Sequence, residues 1–102
     1  MTEAQLQQQI IQLAKLYSWR VAHFRPAMTA KGWRTPVSAD GQGFPDLVLV
    51  KRCRLIFAEV KSDKGRVSPE QQEWLDALRK TKNEVYLWKP KDWPEIQGVL
   101  TK

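Results

Sequence analysis

Two neighbouring stretches decide the fold, Pro45-Asp46-Leu47-Val48-Leu49-Val50 and Arg54-Leu55-Ile56-Phe57-Ala58-Glu59-Val60-Lys61. Both are rich in β-branched and aromatic residues, and only Lys51, Arg52 and Cys53 separate them, so they read as an antiparallel hairpin. Side chains alternate along a strand, which puts Glu59 and Lys61 on one face and Val60 on the other. Asp46 shares its face with Val48 and Val50. A tight turn at Arg52-Cys53 would set Asp46 directly across from Glu59. Neither turn residue is favoured in a two-residue hairpin, so the turn alone does not force that register. A slip by two residues would keep the same faces.

Outward from the hairpin, residues 2–17 read as an amphipathic helix. Thr2 and Gln5 have capping-box spacing, and Leu6, Ile10, Leu13 and Tyr17 recur at helical intervals. Glu3 leads that apolar stripe, one turn before Leu6. Trp19 to Phe24 suits a short strand, and residues 25–43 read as a long loop rich in Pro, Gly, Thr and Ser. Ser68-Pro69-Glu70 opens a second helix, with Ser68 as N-cap and Pro69 at its first position. Trp74, Leu75 and Leu78 supply its apolar face, and Trp74 and Trp88 read as core residues. Glu84 to Trp88 is a largely apolar run, as expected of a strand buried on both faces. Asp92 is placed to cap a final helix carrying Ile96, Val99 and Leu100. The third strand, second helix and fourth strand form a crossover, so the sheet should be mixed.

The chain has 102 residues and a formal net charge of +6, the size of one domain spanning 1–102. Such a charge suits a polyanionic partner, since phosphate contacts release counterions, and it also fits a small soluble basic protein. Cys53 is the sole cysteine and His23 the sole histidine. That excludes a disulfide framework and any Cys- or His-rich zinc site. No apolar run reaches the length of a membrane span, and the glutamine-rich start is unlike a signal peptide. A reducing, cytoplasmic setting follows as the expectation.

Two carboxylates and an ammonium side by side on one sheet face carry the chemistry. Adjacent carboxylates repel unless a cation joins them, and hard ions such as Mg²⁺ prefer oxygen ligands. A metal held there polarises a phosphate and acidifies a bound water, with Lys61 placed to neutralise developing charge. The same three residues also fit a plain surface ion pair, because Asp with Glu-x-Lys is a short and common pattern. Two contexts favour the site: Gly43-Phe44-Pro45 immediately before Asp46, and Ser68-Pro69-Glu70-Gln71 shortly after Lys61.

With these residues assembled, the chain resembles the VRR-NUC (virus-type replication-repair nuclease) family of the PD-(D/E)XK nuclease superfamily. The resemblance runs along nearly the whole chain. It rests on Glu3, Gly43-Phe44-Pro45-Asp46-Leu47, Glu59-Val60-Lys61, and Ser68-Pro69-Glu70-Gln71 followed by Trp74-Leu75. It implies an α/β fold with an αβββαβ core, a mixed sheet flanked by helices, and a C-terminal helix. It implies Asp46, Glu59 and the Val60 backbone carbonyl as metal ligands, with Glu3 assisting, often through water. Lys61 takes the place of the catalytic lysine, and Gln71 that of the helix glutamine aimed at the site. Gln72 would point about 100° away.

The expected activity is Mg²⁺-dependent hydrolysis of DNA phosphodiester bonds, with Mn²⁺ able to substitute. The resemblance points to an endonuclease acting on branched replication or repair intermediates, in a bacterial or phage-infected cell, and to a homodimer. A DNA-binding module without catalysis and a sequence-reading restriction-type endonuclease are the rivals. Arg25, Lys31, Trp33 and Arg34 fit DNA contact, the cations on phosphates and Trp33 on an exposed base. They also fit a solvated loop with its tryptophan packed against the body. Lys64 and Arg66, just beyond Lys61, are further phosphate-binding candidates.

Overall fold

The structure, a computed structural model, describes residues 1–102. In chain order it contains α1 (Glu3–Leu16), β1 (Arg20–His23), β2 (Ala27–Thr29), β3 (Gly32–Arg34), β4 (Leu47–Lys51), β5 (Arg54–Val60), α2 (Pro69–Arg79), β6 (Glu84–Trp88), a 3₁₀ turn (Pro90–Asp92) and α3 (Trp93–Leu100). Four strands form one sheet in the order β1-β4-β5-β6. The pairs β1–β4 and β4–β5 are antiparallel, whereas β5–β6 is parallel, so the sheet is mixed as expected. The parallel pair follows from α2, which carries the chain back to the start of a strand running the same way.

Alternation divides the sheet into two faces. Leu47, Leu49, Ile56, Ala58 and Val60 are buried on one face and pack with Leu6, Ile10 and Ala14 of α1 and Ile96 and Leu100 of α3. The other face presents Asp46, Phe57 and Glu59 toward α2. Trp19, just before β1, is buried in the core and donates its indole N–H to the Leu100 carbonyl at 2.9 Å. That bond ties the last helix to the first strand and satisfies a polar group that would otherwise be costly to bury.

Four expectations need correction. The 25–43 segment is not a plain loop: β2 and β3 form a two-stranded ribbon, with Ala27 opposite Arg34, Met28 opposite Trp33 and Thr29 opposite Gly32. Gly32 adopts φ +100 at the turn, a conformation few other residues tolerate. Second, β6 is an edge strand, and of its residues only Trp88 is buried. Its apolar run reflects partial cover on both faces rather than a central place. Third, Trp74 is half-buried outside the core, with its indole N–H donated to the Asp40 carbonyl at 2.9 Å. Fourth, Asp92 does not cap α3 through its side chain. Its carboxylate turns back to accept the Lys89 N–H at 2.9 Å, closing the 3₁₀ turn.

Candidate active site

The hairpin adopts the register that a tight turn implies. Lys51 pairs with Arg54 and Leu47 with Ala58, so one step further Asp46 faces Glu59. Arg52 takes φ +55 to make this turn without glycine or asparagine. The regular ladder ends at Leu47, and Asp46 completes it with its side chain: Oδ2 accepts the Val60 N–H at 3.0 Å. Its own carbonyl accepts the Phe24 N–H at 2.9 Å. Asp46 is therefore held at both backbone and carboxylate.

Glu59 is only 1 % exposed, the one charged residue in the buried set. Its carboxyl is pushed up to about 8, first by burial and then by the neighbouring Asp46 charge, with Lys61 opposing. The Lys61 ammonium lies 3.7 Å from Glu59 Oε2, its side chain 13 % exposed. The Gln71 side-chain amide donates to the same Oε2 at 3.0 Å. Glu59 Oε1 is also buried, and no hydrogen-bond donor reaches it. Ionised, an oxygen so placed is costly unless a cation meets it; without one the carboxyl keeps its proton, which a hydrogen bond to Asp46 also favours.

Gln71 belongs to two structures at once. It is the N3 residue of a capping box, in which Ser68 Oγ accepts the Gln71 N–H and Gln71 Oε1 accepts the Ser68 N–H at 2.9 Å. With Oε1 so engaged, Nε2 is the end left to meet Glu59. Gln72 is exposed and bonds instead to Asp76 on its own helix, as its direction on the helix requires. The Thr2–Gln5 capping box of α1 has the same form but lies exposed and reaches no carboxylate beyond its helix.

Glu3, at the first turn of α1, is half-buried. Its carboxyl is raised by burial and by Asp46, and lowered by Lys61. It thus shares the electrostatic field of the pair. Yet no group of three or more His, Cys, Asp or Glu side chains is gathered closely enough to hold a metal. The side-chain ligands brought together are Asp46 and Glu59. The Lys61 N–H donates to the Trp88 carbonyl at 3.0 Å, so alternation turns the peptide groups of Val60 away from β6. The Val60 carbonyl therefore points to the side on which its N–H meets Asp46. Two carboxylates, one with an unpartnered oxygen, and a nearby carbonyl suit a hard divalent ion, which takes few protein carboxylates and keeps several waters.

The sequence reading missed the wedge beneath this site. Gly43 has φ +87 and rests so close to α2 that a Cβ would stand 2.6 Å from the Glu70 carbonyl carbon and 2.7 Å from the Gln71 nitrogen. Phe44 follows, edge-on to Phe24, Phe57 and Trp74 at centroid distances of 5.6, 6.0 and 5.0 Å. The Gly-Phe-Pro-Asp run was visible as a motif. That its glycine abuts the turn carrying Gln71 is a long-range contact with no local signal.

A cleft of about 760 Å³ opens beside the carboxylates, and Glu3, Asp46 and Gln71 lie in its lining. Lys31, Trp33 and Arg34 line it as well, whereas Arg25, Lys64 and Arg66 are exposed and do not line it. Trp33 does not pack against the body: it is 66 % exposed. His23 is half-buried and its imidazole is held below its usual range, chiefly by burial. It does not line the cleft.

No helix is long and apolar enough to cross a membrane. No curated protein and no solved structure matches the chain. The family model described as the VRR-NUC domain matches residues 2–91, a span that holds Glu3, Asp46, Glu59, Lys61 and Gln71, and the chain belongs to that family.

Proposed function

We propose that this chain is a metal-dependent endonuclease in which Asp46 and Glu59 hold Mg²⁺ or Mn²⁺ and Lys61 acts on the phosphate. Family membership makes it a nuclease domain acting on DNA. The observation that carries the finer reading is the buried Glu59 carboxylate, with Oε2 held by Gln71 and facing Lys61, and Oε1 unpartnered. A module that only binds DNA has no use for a buried Glu59 set beside Asp46, the acid that lines the cleft.

The PD-(D/E)XK arrangement is the fold reading that suits this element order. A bound divalent ion supplies Lewis-acid polarisation of the phosphate and a water of lowered pKa. The chain does the positioning. Asp46 is fixed through Oδ2 by the Val60 N–H, and the Val60 carbonyl, on the same side of β5, would be a further oxygen ligand. Glu3 contributes through water from the first turn of α1. The Lys61 ammonium orients the attacking water or offsets negative charge as it builds on phosphorus. Gln71 fixes Oε2 of Glu59 and leaves Oε1 as the oxygen that would meet an ion. Arg25, Lys31, Arg34, Lys64 and Arg66 supply phosphate contacts along the approach. Branched replication or repair DNA is the substrate we favour, and a homodimer would place two such sites on two strands.

Labelled four-way, flap, single-stranded and duplex DNA, incubated with Mg²⁺ or Mn²⁺, test this reading. Metal-dependent cleavage that is strongest on a branched substrate and disappears in Lys61→Ala supports it. Tight DNA binding without cleavage under either metal would leave a binding module and sink the enzyme.

A further inference from the structure

Half of the exposed large apolar side chains of the molecule, Phe24, Met28, Trp33 and Val37, fall in one short segment. Between Phe24 and Ala39 the chain also carries Arg25, Lys31 and Arg34 and no Asp or Glu. Met28 and Trp33 are 62 % and 66 % exposed. They are cross-strand partners in the β2–β3 ribbon, so their side chains emerge on the same face. An exposed apolar patch set among cations marks a surface that meets a partner.

The position of the patch narrows the partner. Phe24, Lys31, Trp33 and Arg34 line the same cleft as Asp46 and Gln71. A strand whose phosphate reaches the carboxylates therefore runs past the ribbon. Duplex DNA offers phosphates to the cations, but its base faces stay stacked on one another and would leave Trp33 against water. An unpaired nucleotide offers a π-face, and aromatic stacking within a basic groove is the usual physics of single-strand binding. A second copy of this chain on the same face would set three cations against three cations.

We infer that the β2–β3 ribbon is a stacking platform for an unpaired nucleotide of the DNA strand in the cleft. Trp33 contacts the base, and Lys31 and Arg34 contact the flanking phosphates. The inference rests on the proposed function only in taking the cleft strand to be DNA. It makes unpaired nucleotides beside the cut the feature that this wall selects.

Fluorescence anisotropy with labelled oligo(dT) and a labelled hairpin duplex, in EDTA, tests it on wild type, Trp33→Ala and Trp33→Phe. Trp33→Ala should weaken oligo(dT) binding about tenfold or more and hairpin binding less than about twofold, with Trp33→Phe restoring most of the loss. No loss, or equal loss on both DNAs, overturns the platform. So does sedimentation in which Trp33→Ala converts a dimer to a monomer while oligo(dT) affinity holds. Trp33-dependent oligo(dT) binding by a wild type that cleaves nothing supports the platform and removes the nuclease reading. Cleavage without any Trp33 dependence of binding does the reverse, and a wild type that binds neither DNA overturns both.

Discussion

The Gln71 side-chain amide donates to Glu59 Oε2 at 3.0 Å while its carbonyl oxygen accepts the Ser68 N–H at 2.9 Å. The start of α2 and the orientation of the buried carboxylate are thus one arrangement. Removing a group that orients a metal ligand typically costs about 10- to 100-fold in metal affinity. Gln71→Ala should therefore weaken Mn²⁺ binding, read by calorimetry, by about that factor. Ser68→Ala should weaken it less and lower stability by about 1 kcal/mol through loss of the cap. Wild-type Mn²⁺ affinity in both variants would reduce Gln71 to a helix cap.

The second prediction concerns pH. Glu59 titrates at about 8 when folded, against 4.5 for the ordinary carboxyl. Between those values the unfolded chain has released a proton that the folded chain keeps. Without metal, this group's contribution to stability therefore falls as pH rises from about 4.5 to about 8. A divalent ion needs the ionised carboxylate, so its stabilising effect should grow over the same window. Melting temperatures with EDTA and with Mn²⁺ would show both trends. Subtracting the same curves for Glu59→Gln isolates this group from Glu3 and His23. A difference that is flat with pH would contradict the assignment.

Lys61 is the cation nearest to Glu59, 3.7 Å from Oε2. Lys61→Ala should lower single-turnover cleavage at saturating metal by about a hundredfold or more, the scale for losing a group that meets transition-state charge. DNA affinity should change little, because one phosphate contact among several is a small part of the total. Unchanged cleavage with weakened DNA binding would make Lys61 a simple anchor.

Three glycines separate backbone strain from crowding. Gly43 has φ +87 and its missing Cβ would meet the backbone of Glu70 and Gln71, whereas Gly32 has φ +100 with open space around it. Gly43→Ala should lose more than about 1 kcal/mol and exceed the loss in Gly32→Ala. Gly98, in α3, has nothing within 4 Å and no positive φ. Gly98→Ala should gain about 0.5–1 kcal/mol, since alanine holds a helix better. Urea midpoints of the three variants are the check. Equal losses at Gly43 and Gly32 would show that the α2 contact costs nothing.

Much of this is legible in the sequence alone. Strand alternation is a local property of extended backbone, so Asp46, Glu59 and Lys61 could be assigned to one face from their spacing. The helix caps join residues three apart and are equally local, with Thr2 and Gln5 legible as a box opening α1 and Ser68 as the N-cap opening α2. The ribbon escaped notice because its strands of three residues are too short to show a period. Trp74 and the apolar run of β6 were misplaced because helical spacing and hydrophobicity report amphipathicity, and neither reports depth or sheet order.

The sequence by itself determined the types of the longer elements, the capped starts of α1 and α2 and the shared face of the Asp46, Glu59 and Lys61 trio, all set by local spacing. Only the tertiary structure decided that Glu59 lies buried, that one of its oxygens has no donor, and that Gln71 holds the other. It alone brought Gly43 against α2 and set Trp33 in the wall of the same cleft. Each of those outcomes depends on segments distant in the chain being packed together, and no local pattern of residue types encodes that proximity.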